Sequence, residues 1–270
     1  MISTRVTISY QQKTVLTDLR LELREGEILG LVGHSGCGKS SLALAILGLL
    51  KMKGGTAAGS ILWNKRELLA LKEHEWLKLR GREIALVPQS PMSSLNPALR
   101  IGTQLAEAWK LHQRGGRQEC WKAISRAMED VCLPSTEEFL RRYPSEISVG
   151  QAQRALIAMG ILHRPGLLIA DEPTSSLDAI TQAEILALFS ELNRRLGMSV
   201  LYISHDLLAV SSLCHRIAIL NEGEIVECGT PQQIFFAPAD PFTKRLVEAL
   251  PSMPVPIESR RASVGGRAGL

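Results

Sequence analysis

The stretch "GHSGCGKS", Gly33 to Ser40, has the residue types and spacing of a loop that holds a chain of phosphates. Gly33, Gly36 and Gly38 let the backbone wrap an anion with its N–H groups turned inward. Lys39 adds a positive charge for the β and γ phosphates, and the Ser40 hydroxyl can ligate Mg²⁺; His34, Ser35, Cys37 and Ser41 complete the expected lining. A second stretch, "LLIADE" (Leu167 to Glu172), is an apolar run that ends in two carboxylates. Asp171 is expected near the Mg²⁺ shell, and Glu172 can polarise a water for in-line attack. Gln89 follows "IALVP" and His205 follows "SVLYIS", so both sit where an apolar run ends. In open α/β sheets ligands bind outside the carboxyl ends of the strands, which makes Gln89 and His205 candidate γ-phosphate or water contacts. The chemistry this constellation implies is hydrolysis of a nucleoside triphosphate.

The elements that must position these residues alternate. "RVTISY", "VLTDLRLEL" and "EILGLVG" read as short strands, and "GKSSLALAILGLL" has the makings of the helix that should follow a phosphate loop. "AGSILWNKREL" reads as strand and turn, and "IALVPQ" as a buried strand. Between about 100 and 165 the chain turns helical, with "IGTQLAEAWKLHQ" and "CWKAISRAMEDVCL" amphipathic. "GLLIADEP", "SVLYISHD" and "RIAILNEGEIVECG" return to strand, around the helical "TQAEILALFSELNRRLG". Strands alternating with helices on both sides of a helical insert predict an α/β core with a parallel sheet. The 270 residues suffice for one large domain, or one domain with an inserted lobe.

Composition excludes several classes. A net charge of +4, with no basic cluster interleaved with aromatics, argues against a nucleic-acid partner. The five cysteines show no C-x-x-C spacing, which excludes a zinc motif or disulfide framework and suits a reducing compartment. The longest apolar run, "LALAILGLL" at 42–50, falls short of the roughly 20 residues a membrane span needs. The segment 251–270, rich in Pro, Gly, Ser and Arg, is expected to be a disordered tail.

The order of motifs over residues 1–250 resembles the nucleotide-binding subunit of ATP-binding cassette (ABC) transporters: the phosphate loop, Gln89, the signature "ISVGQ" at 147–151, "LLIADE", the D-loop "SSLD" at 175–178, and "ISHD". The resemblance implies a P-loop NTPase (RecA-like) core over 1–90 and 155–250, an N-terminal antiparallel β subdomain, and an inserted helical signature lobe over about 91–154. It implies that Tyr10 stacks on adenine, that Gln89 joins Ser40 and Asp171 around Mg²⁺, and that Glu172, His205 and Gln89 serve hydrolysis. Ser148, Gly150 and Gln151, with the D-loop Asp178, would close the ATP site of a second ATP-binding subunit. The family's Leu-Ser-Gly-Gly-Gln has one Gly replaced by Val149 here. If the backbone needs φ > 0 there, Val is strained by about 1–2 kcal/mol; if not, Val merely stiffens the loop, and the surviving Ser148 and helix-start N–H groups favour a competent half-site.

Two further segments, "PQSPMSSLNPALRIGTQLAE" (88–107) and "GTPQQIFFAPADPFTKRLVEALP" (229–251), are similar to importers of the oligopeptide, dipeptide and nickel group. In the second, Asp240 and Phe242 stand where that group has His and Tyr in P-x-H-P-Y-T-x-x-L. This resemblance implies an ATP hydrolase powering import of peptides, nickel or a metal chelate. It would be peripheral to the cytoplasmic face of the inner membrane, with two membrane-spanning permease subunits and an extracytoplasmic solute-binding protein. Two rival readings are a soluble ABC ATPase uncoupled from transport and a catalytically weakened cassette paired with an active partner.

Overall fold

The computed structural model describes residues 2–250, so the tail expected at 251–270 lies outside the described residues. The strand β1 (Ile2–Tyr10) alternates in burial, turning Ile2, Thr4, Val6 and Ile8 inward. It pairs antiparallel with β2 (Lys13–Leu23), whose Leu19, Leu21 and Leu23 face the same interior. The strand β3 (Ile28–Val32) is buried at every residue and leads through the glycine-rich loop into α1 (Lys39–Ile46). Next come β4 (Gly55–Trp63), β5 (Arg66–Glu67), α2 (Glu73–Leu79) and β6 (Ile84–Val87). Five helices then separate β6 from the next strand: α3 (Pro91–Ser94), α4 (Ile101–Lys110), α5 (Arg117–Asp130), α6 (Glu137–Leu140) and α7 (Val149–Ile161). The chain continues with β7 (Leu167–Asp171), α8 (Ala179–Leu196), β8 (Ser199–Ser204), α9 (Leu207–Leu213), β9 (Arg216–Asn221) and β10 (Glu224–Gly229). It closes with α10 (Pro231–Phe236) and α11 (Pro241–Glu248).

These elements make two sheets. One is antiparallel with order β2-β1-β4-β5; the other has order β10-β9-β3-β8-β7-β6, parallel except for β10. The parallel strands carry continuous apolar runs because both of their faces are covered. One apolar cluster fills the space between the two sheets and α1. The other lies on the opposite face of the parallel sheet and runs without a break into the inserted helices. The boundary expected between lobe and core at 154/155 falls inside α7, which is one uninterrupted helix. Lobe and core are also tied by charge. The buried Asp130 at the end of α5 accepts from Arg195 of α8 at 2.5 Å, and Arg154 of α7 reaches both Val131 O and Glu184.

The departure at Asp240 has a local cause. Its carboxylate caps α11, accepting from the backbone N–H groups of Phe242 and Thr243 at 2.7 and 3.3 Å. Asp is among the best residues for that position. Phe242 packs against the core.

Candidate active site

The glycine-rich loop leaves β3 at its C-terminal end, and its shape depends on missing side chains. A Cβ at Gly33 would lie 2.4 Å from Leu220 O, and Gly38 combines φ of 108° with Leu16 Cδ2 at 2.4 Å from its would-be Cβ. Lys39 is only 4% exposed, and its ammonium donates to the carbonyl oxygens of Gly33 (2.8 Å) and His34 (3.0 Å). The loop is thus held around a cation with the start of α1 behind it, an arrangement suited to an anion. His34 and Ser35 are exposed, with His34 Nδ1 3.0 Å from Ser35 O. Cys37 is buried, and burial pushes its thiol pKa up, so it packs as a neutral group. The Tyr10 hydroxyl donates to Ser41 Oγ at 3.2 Å, and its ring lies over Gly55, which puts the aromatic beside the first turn of α1.

Three neighbouring strands deliver the rest. The Ser40 hydroxyl donates to Asp171 Oδ1 at 3.1 Å, and burial at the end of β7 raises the Asp171 pKa from its ordinary value. Glu172 follows with φ of 46°, a region that costs a non-glycine residue about 1–3 kcal/mol and is held only where its surroundings impose it. Its N–H bonds Ile203 O at 2.9 Å, extending the β7–β8 ladder by one rung. Glu172 Oε2 accepts from Gln89 Nε2 at 3.1 Å and lies 3.1 Å from His205 Nδ1, while Oε1 is 3.8 Å from Lys39 Nζ. Residues from the ends of β6, β7 and β8 therefore converge on one carboxylate beside the phosphate loop. Gln89 does not touch Ser40 or Asp171 in this arrangement; it is bonded to Glu172 and to Ser175 Oγ (3.4 Å). Reading by motif missed Ser175, because it assigned the D-loop's function to Asp178 alone.

Ser148, Gly150 and Gln151 form a separate group. Ser148 caps α7, with Oγ accepting from Gln151 N (3.2 Å) and its own N–H donating to Gln151 Oε1 (3.0 Å). Val149 is the first helical residue, is 40% exposed, and is not among the described residues with positive φ, so it carries no backbone strain. A Cβ at Gly150 would lie 2.8 Å from Thr181 Cγ2, so Gly150 lets the starts of α7 and α8 come close. Asp178 caps α8 through Ile180 N and Thr181 N, both at 3.0 Å. Among the described residues no hydrogen bond links Ser148, Gly150 or Gln151 to the phosphate loop.

Ser40 Oγ, Asp171 and the Gln89 amide oxygen are hard oxygen donors, which fit a Mg²⁺ shared with phosphate oxygens. No group of three or more His, Cys, Asp or Glu among the described residues could cage a metal alone. No described helix is long and apolar enough to cross a membrane.

A family model described as ABC transporter matches residues 16–175. The chain belongs to the ABC transporter family. The oligopeptide transport ATP-binding protein OppD of Escherichia coli (strain K12) is 41% identical over 240 residues, covering 89% of this chain and 71% of that protein. The dipeptide transport ATP-binding protein DppD of Lactococcus lactis subsp. cremoris is 38% identical, covering 93% and 72% respectively. Among solved structures, a dimeric ATP-binding cassette in a post-hydrolysis state with ADP and Pi superposes with a TM-score of 0.74 at 26% identity, covering 86% of this chain and 99% of that one. This ABC cassette accordingly has the expected P-loop NTPase core and is an ATP-binding, ATP-hydrolysing member of the family.

Proposed function

We propose that this cassette powers an importer for peptide-class solutes, hydrolysing ATP at a site built from Gly33–Ser41, Gln89, Asp171, Glu172 and His205. The convergence of Gln89, His205 and Lys39 on Glu172 supports this reading most directly. The oligopeptide and dipeptide transport roles of OppD and DppD support the peptide class over nickel or a metal chelate. They also favour coupling to transport over a soluble ATPase uncoupled from it.

In this reading Tyr10 stacks on the adenine, and the loop N–H groups and Lys39 bind the phosphates. Ser40, Asp171 and Gln89 would hold Mg²⁺, which supplies charge neutralisation on the β and γ phosphates. Glu172 orients the attacking water and takes its proton as the water oxygen bonds the γ phosphorus. The bond to the β-phosphate oxygen breaks, leaving ADP and phosphate. His205 holds the Glu172 carboxylate through Nδ1 and completes the polar wall of the site.

Ser148, Gly150 and Gln151 then close the site of a second cassette, and Asp178 keeps the D-loop in register with that surface. ATP draws the two cassettes together and hydrolysis releases them. The inserted lobe carries a groove of about 510 Å³ lined by Trp109, Trp121, Ala106, Leu140, Arg100 and Arg117. A cytoplasmic segment of the permease pair docks there in this reading. A solute-binding protein delivers cargo outside, and the cassette sits on the cytoplasmic face of the inner membrane.

Co-expression with the two permease subunits tests the assignment: the cassette should co-purify from detergent-solubilised membranes and show ATPase activity stimulated by solute-loaded binding protein. Recovery of an active cassette wholly in the soluble fraction, indifferent to the permeases, would overturn it.

Val149→Gly probes the signature. Because Val149 is unstrained, the half-site reads as competent. The exchange should leave this chain's own ATP affinity unchanged and alter turnover at the partner's site in the assembled complex. A changed ATP affinity of the isolated chain would contradict the trans assignment.

A further inference from the structure

Ser175 has no role in the reading above, yet its hydroxyl is used twice. It donates to the carbonyl oxygen of Glu172 at 3.1 Å, since a carbonyl can only accept. That leaves a lone pair on Ser175 Oγ, toward which Gln89 Nε2 donates at 3.4 Å from 86 residues away. The same nitrogen donates to Glu172 Oε2 at 3.1 Å. An ionised carboxylate has no proton to give, so the Gln89 atom facing it must be the amide nitrogen. Oε1 accepts no hydrogen bond among the described residues, which leaves this oxygen available to a cation. A serine three residues past a strand end often closes a turn, and the Ser175 N–H does so here, 3.3 Å from Glu172 O. An ordinary turn serine, however, would have no reason to engage a side chain from another strand. Ser175 is exposed, so its hydroxyl is not conscripted merely to satisfy a buried group.

We propose that Ser175 is a positioning residue: it fixes the Gln89 amide so that Oε1 is offered to the divalent cation bound with the nucleotide, and it pins the left-handed backbone that aims Glu172. The proposal rests on the reading that Gln89 and Glu172 act in hydrolysis.

The test measures equilibrium binding of a non-hydrolysable ATP analogue with and without Mg²⁺, beside kcat and the Mg²⁺ concentration for half-maximal turnover, in the full chain assembled with its partners. Ser175→Ala should leave metal-free binding unchanged while weakening the Mg²⁺ dependence of binding about tenfold, the scale of losing a residue behind a metal ligand. Ser175→Thr keeps the hydroxyl and should restore the wild-type dependence. Gln89→Ala should show the same loss, and adding Ser175→Ala to it should weaken the Mg²⁺ dependence of binding no further, because on that readout the two residues act through the one amide. Wild-type Mg²⁺ dependence in Ser175→Ala, or losses of Mg²⁺ dependence that add in the double variant, would overturn the proposal. Failure of the underlying reading has a different signature: Glu172→Gln would turn over ATP at the wild-type rate, whatever Ser175→Ala does.

Discussion

Glu172→Gln is expected to lower ATP turnover by about 10²–10⁴-fold, the range a positioned general base contributes, while ATP binding is retained. The amide keeps the shape of the carboxylate and can still accept from Gln89 Nε2, now 3.1 Å away. The backbone bond from Glu172 N–H to Ile203 O does not depend on the side chain, so the strand end survives the exchange. What disappears is the proton acceptor and one negative charge beside Lys39 and the incoming γ-phosphate. Loss of that charge favours the bound nucleotide, so the closed dimer should accumulate with ATP. Single-turnover ADP formation and the dimer fraction in gel filtration with ATP check both halves. Wild-type turnover would remove Glu172 as the base, and lost ATP binding would mean that it shapes the loop instead.

Much of this site was legible in the sequence because its parts are local. A short continuous apolar run ending in Asp171-Glu172 fits a strand covered on both faces, and the spacing of Gly33, Gly38 and Lys39 is a property of one loop. The parallel sheet then brings the strand ends of Gln89, Glu172 and His205 to one edge, so their convergence followed from topology. What stayed hidden depends on contacts between distant segments. The Gln89–Ser175 bond joins two strand ends, and no periodicity encodes it. Whether Val149 is strained is decided by where α7 begins, and Ser148 sets that start by capping the helix one residue earlier. A boundary at 154/155 has no mark in the folded chain, because hydrophobic packing carries α7 through it to Ile161. Asp240 looked like a lapse from a motif until its carboxylate was seen to cap a helix.

The other large expected effect is at Lys39. Lys39→Met keeps the length and apolar stem of the side chain while removing its charge, so the 4% exposed slot stays filled. The carbonyl oxygens of Gly33 and His34 lose their donor, and Glu172 loses the only cation within 4 Å among the described residues other than a protonated His205. With ATP bound, the same change takes away a preorganised charge aimed at the phosphate oxygens. Removing one such donor typically costs about 10²–10³ in rate, so turnover should fall at least that far. ATP affinity should fall about tenfold or more, since a hydrogen bond to a charged group contributes about 1.5–3 kcal/mol. The two variants therefore separate cleanly: Glu172→Gln loses turnover and keeps binding, and Lys39→Met is weakened in both. Lys39→Arg should not rescue binding, because a planar guanidinium cannot occupy a slot shaped for a compact ammonium. Equilibrium ATP binding beside a thermal melt distinguishes lost recognition from lost folding. Wild-type affinity in a folded Lys39→Met protein would show that the loop N–H groups and the start of α1 hold the phosphates without Lys39.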